Sequence, residues 1–226
     1  MKVPEGVELM PLGGMSYSYL TAMPFIRDEG RVKPGDHVLI NGAASSVGAI
    51  ALQLAKHFGA EVTAVASGRH RALLEKLGAD HVIDRQGTDF TAARGAYDVV
   101  FDAVGKSSFA KSAPALKPGG IYLTTVPGWG IFALMLSGGQ RGGKRGKLAT
   151  TGLRADGDKL KDLHVLNRLL EQGAIEAVTD RVFPLSQIVE AHRYVEREVK
   201  AGDVVVAMPV AQGPLLLAGA GAAERV

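Results

Sequence analysis

The sequence contains no cysteine, a single tryptophan and no long apolar run. Without cysteine, the 226-residue chain can form neither a disulfide nor a thiolate zinc site. Its six histidines are scattered and form no ligand pair at helical spacing, so we predict no metal site. No apolar run approaches the ~20 residues that cross a bilayer, and the N-terminus lacks the charged-then-apolar order of a signal peptide. We therefore expect a cytoplasmic protein without a membrane segment.

The sequence also has little net charge. The 26 basic and 23 acidic residues leave a net charge of +3, which gives little long-range attraction for nucleic acid. The basic character concentrates in GGQRGGKRGK, residues 138–147. We interpret this stretch as a solvated loop between two elements, with a loop that contacts an anion or RNA as the alternative. Nucleic acid is not expected as a partner.

Short β-branched runs alternate with stretches of helical period from residue 37 to about 172. The runs predicted as strands are His37–Asn41, Val62–Ala66, His81–Asp84, Tyr97–Asp102 and Gly120–Thr125. Apolar residues at three- and four-residue steps predict a helix from Val47 to Phe58. Such alternation implies right-handed crossovers, and near-continuous apolar strands fit a sheet covered on both sides. The predicted fold class is α/β, a Rossmann-type doubly wound parallel sheet with helices on both faces.

The second half of the chain predicts further elements after the fifth strand. The apolar run Trp129–Leu136 favours a short helix packed on its own domain or on a partner. We expect a strand near Leu148–Leu153 and a helix through Lys159–Gln172 that ends at Gly173. The last elements are predicted as strand, helix and strand, over Val178–Phe183, Ser186–Val195 and Asp203–Met208.

A small-residue loop joins the first strand to its helix. It reads Asn41-Gly-Ala-Ala-Ser-Ser-Val-Gly48. A phosphate at a helix N-terminus meets unpaired backbone N–H groups and the positive end of the helix dipole, and small residues let the backbone approach it. Small residues in such a turn can instead serve packing alone. The surrounding strand–helix–strand context favours phosphate binding.

The end of the second strand carries hydroxyl and basic groups. In NAD-binding units an acidic residue about 20 positions beyond the glycine loop binds the ribose hydroxyls. Here this place is occupied by Ser67, Arg69 and Arg71. A carboxylate would repel a 2′-phosphate, whereas a serine and an arginine fork favour it, so the predicted cofactor is NADPH. The alternative is that both arginines are exposed residues at the start of a helix.

Residues 38–84, VLINGAASSVGAIALQLAKHFGAEVTAVASGRHRALLEKLGADHVID, resemble a known family. They are similar to the cofactor domain of the medium-chain dehydrogenase/reductase superfamily, in its zinc-independent quinone oxidoreductase branch. Further matches are YDVVFDAVG, LKPGGIYLTT, LHVLNRLLEQGAI, DRVFPLSQIVEAHRYVE and GDVVV. The resemblance runs from about residue 11 to 208. It implies an NADPH-dependent, zinc-independent hydride transfer to quinones, enones or similar activated carbonyls.

The resemblance also implies which residues hold the cofactor. Ala44, Ser45, Ser46, Val47 and Gly48 would cradle the pyrophosphate; Ser67, Arg69 and Arg85 would hold the 2′-phosphate; Val104 and Gly105 would lie by the riboses; Ser16, Thr125, Val126 and Pro127 would lie near the nicotinamide. Two positions depart from the family pattern: Ser45 replaces a glycine, and Arg85 stands where relatives often have a tyrosine. No residue is assigned as catalytic, and Tyr122 and Tyr194 are interpreted as structural.

Relatives in this family carry a GroES-like catalytic domain before the stretch that begins here near residue 11. The resemblance therefore predicts that this chain is the cofactor-binding part, with a quinone or activated-carbonyl substrate if a catalytic domain is supplied. The alternative is a non-catalytic NADPH-binding module or sensor. The expected organisation is an interdomain remnant and first helix (1–30), the NADPH-binding domain (31–175), a C-terminal strand–helix–strand (176–210) and a disordered tail (211–226).

Association is the last expectation. In relatives, the segments that match Val178–Phe183 and Asp203–Met208 pack with strands of the catalytic domain, so here they are expected to lack partners. Unpaired strand edges recruit other chains. The strand near Leu148–Leu153 often pairs with its twin in this family. We therefore predict a homodimer with this strand at the interface, with an aggregation-prone monomer as the alternative.

Overall fold

The computed structural model describes residues 10–149, 151–197 and 199–208. The main sheet contains β1 (His37–Asn41), β2 (Glu61–Ala66), β3 (His81–Asp84), β4 (Tyr97–Asp102), β5 (Leu116–Thr124), β6 (Gln140–Arg141) and β7 (Lys144–Leu148). The helices are α1 (Met15–Met23), α2 (Ser46–His57), α3 (Arg71–Lys76), α4 (Phe109–Ser112), α5 (Trp129–Leu136), α6 (Asp156–Glu171) and α7 (Ile188–Glu196). A second sheet consists of β8 (Thr179–Pro184) and β9 (Asp203–Ala207).

The main sheet has the strand order β3-β2-β1-β4-β5-β7-β6. All neighbours are parallel except β6, which runs antiparallel to β7. This order confirms the predicted doubly wound α/β fold. The predicted bounds of β1, β3 and β4 match the structure, whereas β2 begins one residue earlier and β5 four residues earlier than predicted.

Both faces of the sheet are covered, because successive side chains of a strand point to opposite faces. On β1, Val38 and Ile40 belong to a buried cluster that also includes residues of α1, α2 and α6. Leu39, between them, belongs to a second cluster with Val100 and Tyr122 and with residues of α5. The run of apolar residues in β1 is thus explained by burial on two sides.

The strand expected near Leu148–Leu153 lies earlier in the chain, so that prediction was wrong. Strand β7 ends at Leu148, and Thr151–Leu153 forms a 3₁₀ turn. The reason is visible at Gly146, where an added Cβ would overlap the side chain of Leu134 on α5. Because a glycine forms the buried face of this strand, no apolar pattern marks it. The basic stretch 138–147 is therefore largely the β6–β7 hairpin rather than a loop.

The two C-terminal strands have a partner, contrary to expectation. Strands β8 and β9 pair with each other in parallel, with Val182 opposite Val205 and Phe183 opposite Val206. Helix α7 makes the crossover between them. The residue before β9 also contacts the main sheet domain: Gly202 forms an isolated parallel bridge with Ser45. The strands thus form a small strand–helix–strand unit, and among the described residues the outer edges of this two-stranded sheet have no further strand partner.

The apolar run Trp129–Leu136 forms the predicted short helix, α5. Within the described ranges, no helix is both long and apolar enough to cross a membrane. Helix α6 ends before Gly173, whose φ of +62° suits the predicted stop. The division into four regions and the cytoplasmic location stay predictions, and the tail 211–226 lies outside the described residues.

Candidate dinucleotide-binding site

A cavity of about 640 Å³ opens where β1, β2, β3 and β4 end. The strand order reverses between β1 and β4, and open α/β sheets bind ligands at such a switch point, beyond the carboxyl ends of the strands. The lining includes Asn41, Gly42, Ala44, Ser45, Ser67, Arg69, His70, Arg85, Phe90, Val104, Lys106 and Lys200. The main sheet and the C-terminal segment therefore both contribute to this cavity.

The loop between β1 and α2 has the geometry of a phosphate-binding turn. Gly42 has a φ of +79°, which favours glycine, and an added Cβ there would collide with Val104. Gly48, in the first turn of α2, lies so close to the loop that a Cβ would overlap the Gly42 carbonyl oxygen. These two glycines bring the helix N-terminus, with its unpaired N–H groups and positive dipole, against the cavity.

Ser45 caps this helix. Its extended backbone (φ −72°, ψ 165°) needs no glycine, and its Oγ accepts a hydrogen bond from the Gly48 N–H over 3.1 Å. The cap satisfies one of the donors that a phosphate would otherwise use. The Ser45 hydroxyl proton remains as a donor toward the cavity, since a hydroxyl can accept and donate at the same time.

The basic end of the cavity lies beyond β2 and β3. Arg69, His70 and Arg85 all line it, and the Arg85 N–H donates to the carbonyl of Ala66, which ties the two strand ends together. The Arg69 Nε donates to the His70 Nε2 over 3.1 Å. Burial lowers the pKa of His70, and the nearby Arg69 and Arg85 lower it further. The imidazole is thus neutral at pH 7 and holds the guanidinium of Arg69.

Two carboxylates near the end of β3 are engaged in turns. Asp89 lines the cavity, and its Oδ1 accepts from the Thr91 N–H at 2.9 Å and the Thr91 hydroxyl at 2.7 Å. These hydrogen bonds hold the pKa of Asp89 below its usual value. Asp84, in β3, accepts from the Gln86 N–H over 3.0 Å. Ser67 and Arg69 follow β2, and the Asp84 carboxylate packs against Gly68 between them, where an added Cβ would overlap it.

A buried carboxylate at the end of β4 shapes the next wall. Asp102 accepts from the Asn41 amide at 3.0 Å, the Tyr122 hydroxyl at 3.0 Å and the Ser107 N–H at 2.7 Å. Burial and the adjacent Asp102 raise the pKa of Tyr122, so its hydroxyl stays protonated and donates. The network fixes the turn that carries Val104, and it gives Tyr122 the structural role predicted for it.

The structure brings six of the predicted cofactor residues to the cavity. They are Ala44, Ser45, Ser67, Arg69, Arg85 and Val104. Ser46, Val47 and Gly48 form the first turn of α2 beside it without lining it. Their assignment as cofactor contacts stays a prediction.

The remaining predicted residues lie away from the cavity lining. Gly105 has a φ of +65°, and an added Cβ would overlap Val126, so the turns after β4 and β5 touch. Thr125 donates from its hydroxyl to the Ala103 carbonyl over 3.2 Å, and Pro127 is exposed. Ser16 is exposed on α1. A nicotinamide position at these residues also stays a prediction.

Sequence reasoning missed His70 and Lys200 as cavity residues. His70 stands next to Arg69 in the sequence, and this adjacency to a basic pair could have marked it. Lys200 gave no signal, because it meets Ser46 across 154 residues of chain. Among the residues that the structure describes, no three His, Asp or Glu side chains come together in a group that could hold a metal ion.

A dinucleotide-binding Rossmann-type domain is the class of protein that this fold and cavity define. A family model described as "Zinc-binding dehydrogenase" matches residues 77–206. The chain is 30% identical over 224 residues to a 2-haloacrylate reductase of Burkholderia sp, covering 91% of this chain and 66% of that protein. It is 32% identical over 216 residues to a chloroplastic NADPH-dependent alkenal/one oxidoreductase of Arabidopsis thaliana, covering 90% of this chain and 48% of that protein.

Among solved structures, the chain is similar to the quinone oxidoreductase from Coxiella burnetii. The TM-score is 0.78 at 29% identity, over 91% of this chain and 63% of that one. The chain belongs to the zinc-binding dehydrogenase family, within the medium-chain dehydrogenase/reductase superfamily and its zinc-independent branch, as the sequence predicted. It spans less than two thirds of the length of these relatives and covers their cofactor-binding part.

Proposed function

We propose that the chain binds NADPH in the cavity beyond β1–β4, as the cofactor-binding part of a reductase. The observation that carries this proposal is the arrangement of two anion sites in one cavity. One is the α2 N-terminus behind Gly42 and Ser45, and the other is the basic end with Arg69 and Arg85. A dinucleotide with a 2′-phosphate carries one anionic group for each site.

The preference for NADPH over NADH rests on the end of β2. Ser67 and Arg69 stand where an NAD-binding unit places a carboxylate, and Arg85 adds a second guanidinium. Arginine forks match phosphate oxygens in geometry and charge. The similarity to the NADPH-dependent alkenal/one oxidoreductase of Arabidopsis thaliana supports the same preference.

The reaction that we propose is hydride transfer to a small activated carbonyl, an enone or a quinone. The bound cofactor supplies the hydride, and the protein's part is to hold the ring and to orient the acceptor against it. The turns after β4 and β5, with Gly105 and Val126 in contact, would position the nicotinamide. This hydride transfer needs no metal ion.

Titration of the purified chain with NADPH and NADH, followed by calorimetry or by cofactor fluorescence, tests the proposal. We expect saturable binding of both and tighter binding of NADPH. Equal affinity for the two cofactors would overturn the NADPH preference. Failure to bind either cofactor would overturn the assignment of the cavity.

A further inference from the structure

The C-terminal segment 199–203 crosses the phosphate loop. The Gly202 N–H donates to the Ala44 carbonyl over 2.8 Å, and the Ser46 hydroxyl donates to the Gly202 carbonyl over 2.8 Å. Gly202 needs its φ of +73°, because an added Cβ there would overlap the Val178 carbonyl oxygen. These contacts hold the segment against the loop at a defined register.

This segment places a lysine beside the start of α2. The Lys200 Nζ donates to the Ser46 hydroxyl at 2.9 Å and to the Gly202 carbonyl at 2.6 Å, and the side chain lines the cavity. An ammonium has three N–H donors, so two are used and one remains. Among the described residues, no carboxylate forms an ion pair with Lys200.

The partly buried ammonium of Lys200 would be stabilised by a bound anion. Lys200 is partly buried, and burial lowers its pKa, while the Asp203 and Asp180 carboxylates act on it only at a distance. The positive end of the α2 dipole adds to the unfavourable environment. A bound phosphate oxygen would pair the ammonium and face the helix N-terminus at once.

We propose that Lys200 binds the pyrophosphate of the dinucleotide, so that the C-terminal segment completes the phosphate site of the Rossmann fold. The inference rests on the proposed function and deepens it. Lys200 supplies a charged donor at the point where the Ser45 cap has engaged the N–H of Gly48. The site for the 2′-phosphate, at Arg69 and Arg85, is served by other residues.

The two subsites can be separated by ligand and by variant. ADP and NADH carry a pyrophosphate without a 2′-phosphate, whereas NADPH carries both groups. Lys200→Met removes the charge at similar length, and Lys200→Arg keeps it. Lys161→Met, at a side chain that is 79% exposed on α6, serves as the matched control.

We expect Lys200→Met to lower the affinity for ADP, NADH and NADPH by the same factor. The loss of one charge-assisted hydrogen bond corresponds to about 10- to 100-fold. The ratio of NADPH to NADH affinity should not change. Lys200→Arg should keep most of the affinity, and Lys161→Met all of it. Arg69→Ala should show the opposite pattern, with weaker binding of NADPH alone.

A pH profile distinguishes direct binding from a structural role. In the unmodified protein, ADP affinity should fall as the pH rises and Lys200 loses its proton. Because burial lowers the pKa of Lys200, this fall should begin below the pH at which an ordinary lysine titrates. The charged groups that act on Lys200 from the neighbouring elements are the carboxylates of Asp180 and Asp203. Lys200→Arg should give a flat profile. This comparison also decides the question if Lys200→Met fails to fold.

Several outcomes would overturn the inference while leaving the proposed function intact. These are Lys200→Met binding within twofold of the unmodified protein, a weakening confined to NADPH, or an ADP profile that Lys200→Arg does not flatten. If the unmodified chain binds neither NADPH nor ADP, the proposed function itself fails.

Discussion

The side-chain amide of Asn41 donates to the carboxylate of Asp102 over 3.0 Å, across the switch point between β1 and β4. Asp102 is fully buried, and Asn41 lines the cavity. This contact links the floor of the candidate site to the turn that carries Val104.

Asp102→Asn should destabilise the fold and weaken cofactor binding. The new amide group would face the N–H of Ser107 and the hydroxyl of Tyr122, and an unsatisfied buried donor costs about 1–3 kcal/mol. Urea unfolding measures the free energy of unfolding. Tyr122→Phe is the matched control and should cost less, since it removes one donor and leaves the other hydrogen bonds of Asp102 in place. Equal stability of Asp102→Asn and the unmodified protein would contradict the role of this network.

Arg69→Ala should lower the affinity for NADPH by about 1.5–3 kcal/mol, because it removes one charge-assisted hydrogen bond to the 2′-phosphate, and should leave NADH binding unchanged. Arg71→Ala is the control, because Arg71 does not line the cavity and donates instead to the Val82 carbonyl. Calorimetric titration of both variants gives the comparison. An equal weakening of NADH binding would place Arg69 outside the 2′-phosphate subsite.

Cofactor discrimination should depend on pH through His70. Its pKa is lowered below the ordinary 6.5, so acidification below that value adds a positive charge beside Arg69 and Arg85. The added charge should strengthen NADPH binding relative to NADH as pH falls. The 2′-phosphate also titrates near pH 6, so the informative quantity is the difference between the unmodified protein and His70→Gln. Parallel curves for the two would contradict this prediction.

The pattern of residues established most of the sheet but not its outer edge. Strands β1 and β4 follow from runs of apolar residues that are buried on both faces of the sheet, and β3 follows from a short apolar run at the sheet edge. Strand β7 has the sequence KRGKL, which contains no apolar pattern. The sequence did not predict it, because Gly146, which has no side chain, is the residue that packs against α5. The pairing of β8 with β9 depends on a long-range register that no local pattern encodes.

Part of the candidate site could likewise be predicted from the sequence, and part could not. Ser45, Ser67 and Arg69 occupy positions that the strand–helix–strand unit defines locally, so the sequence could predict them. Lys200 reaches the loop only because the segment before β9 forms a bridge with Ser45. Its role follows from tertiary contacts and could not be predicted from spacing.

We predict a homodimer in which α5 contributes to the interface. Trp129 is 92% exposed and Leu136 is 90% exposed at the two ends of this helix, and exposed apolar side chains of this size mark interaction surfaces. Light scattering at micromolar concentration should give a dimer mass, and Leu136→Lys should shift it toward the monomer. A monomer whose mass does not change with concentration would refute the prediction.

The 226-residue chain alone should show little quinone reduction even when NADPH is bound. Val126 is 44% exposed and Pro127 is exposed, so the described residues beyond β5 leave an acceptor free to move. Orientation of two reactants can contribute ~7–11 kcal/mol to catalysis, and an unpositioned acceptor forfeits much of it. The assay measures the rate of NADPH oxidation, from the absorbance of NADPH, as a function of quinone concentration. Rapid, saturable oxidation would show that these residues suffice.

The bridge between Ser45 and Gly202 also has a consequence for the order of folding. Strands β1 and β2 and the helix between them are neighbours in the chain and can associate early, whereas contacts between distant segments form late because their loop closure costs more entropy. During synthesis, the N-terminal segments leave the ribosome first. The residues of β1 to β7 are therefore translated before Lys200, and a nascent chain would acquire its full affinity for the dinucleotide only after the segment that precedes β9 emerges.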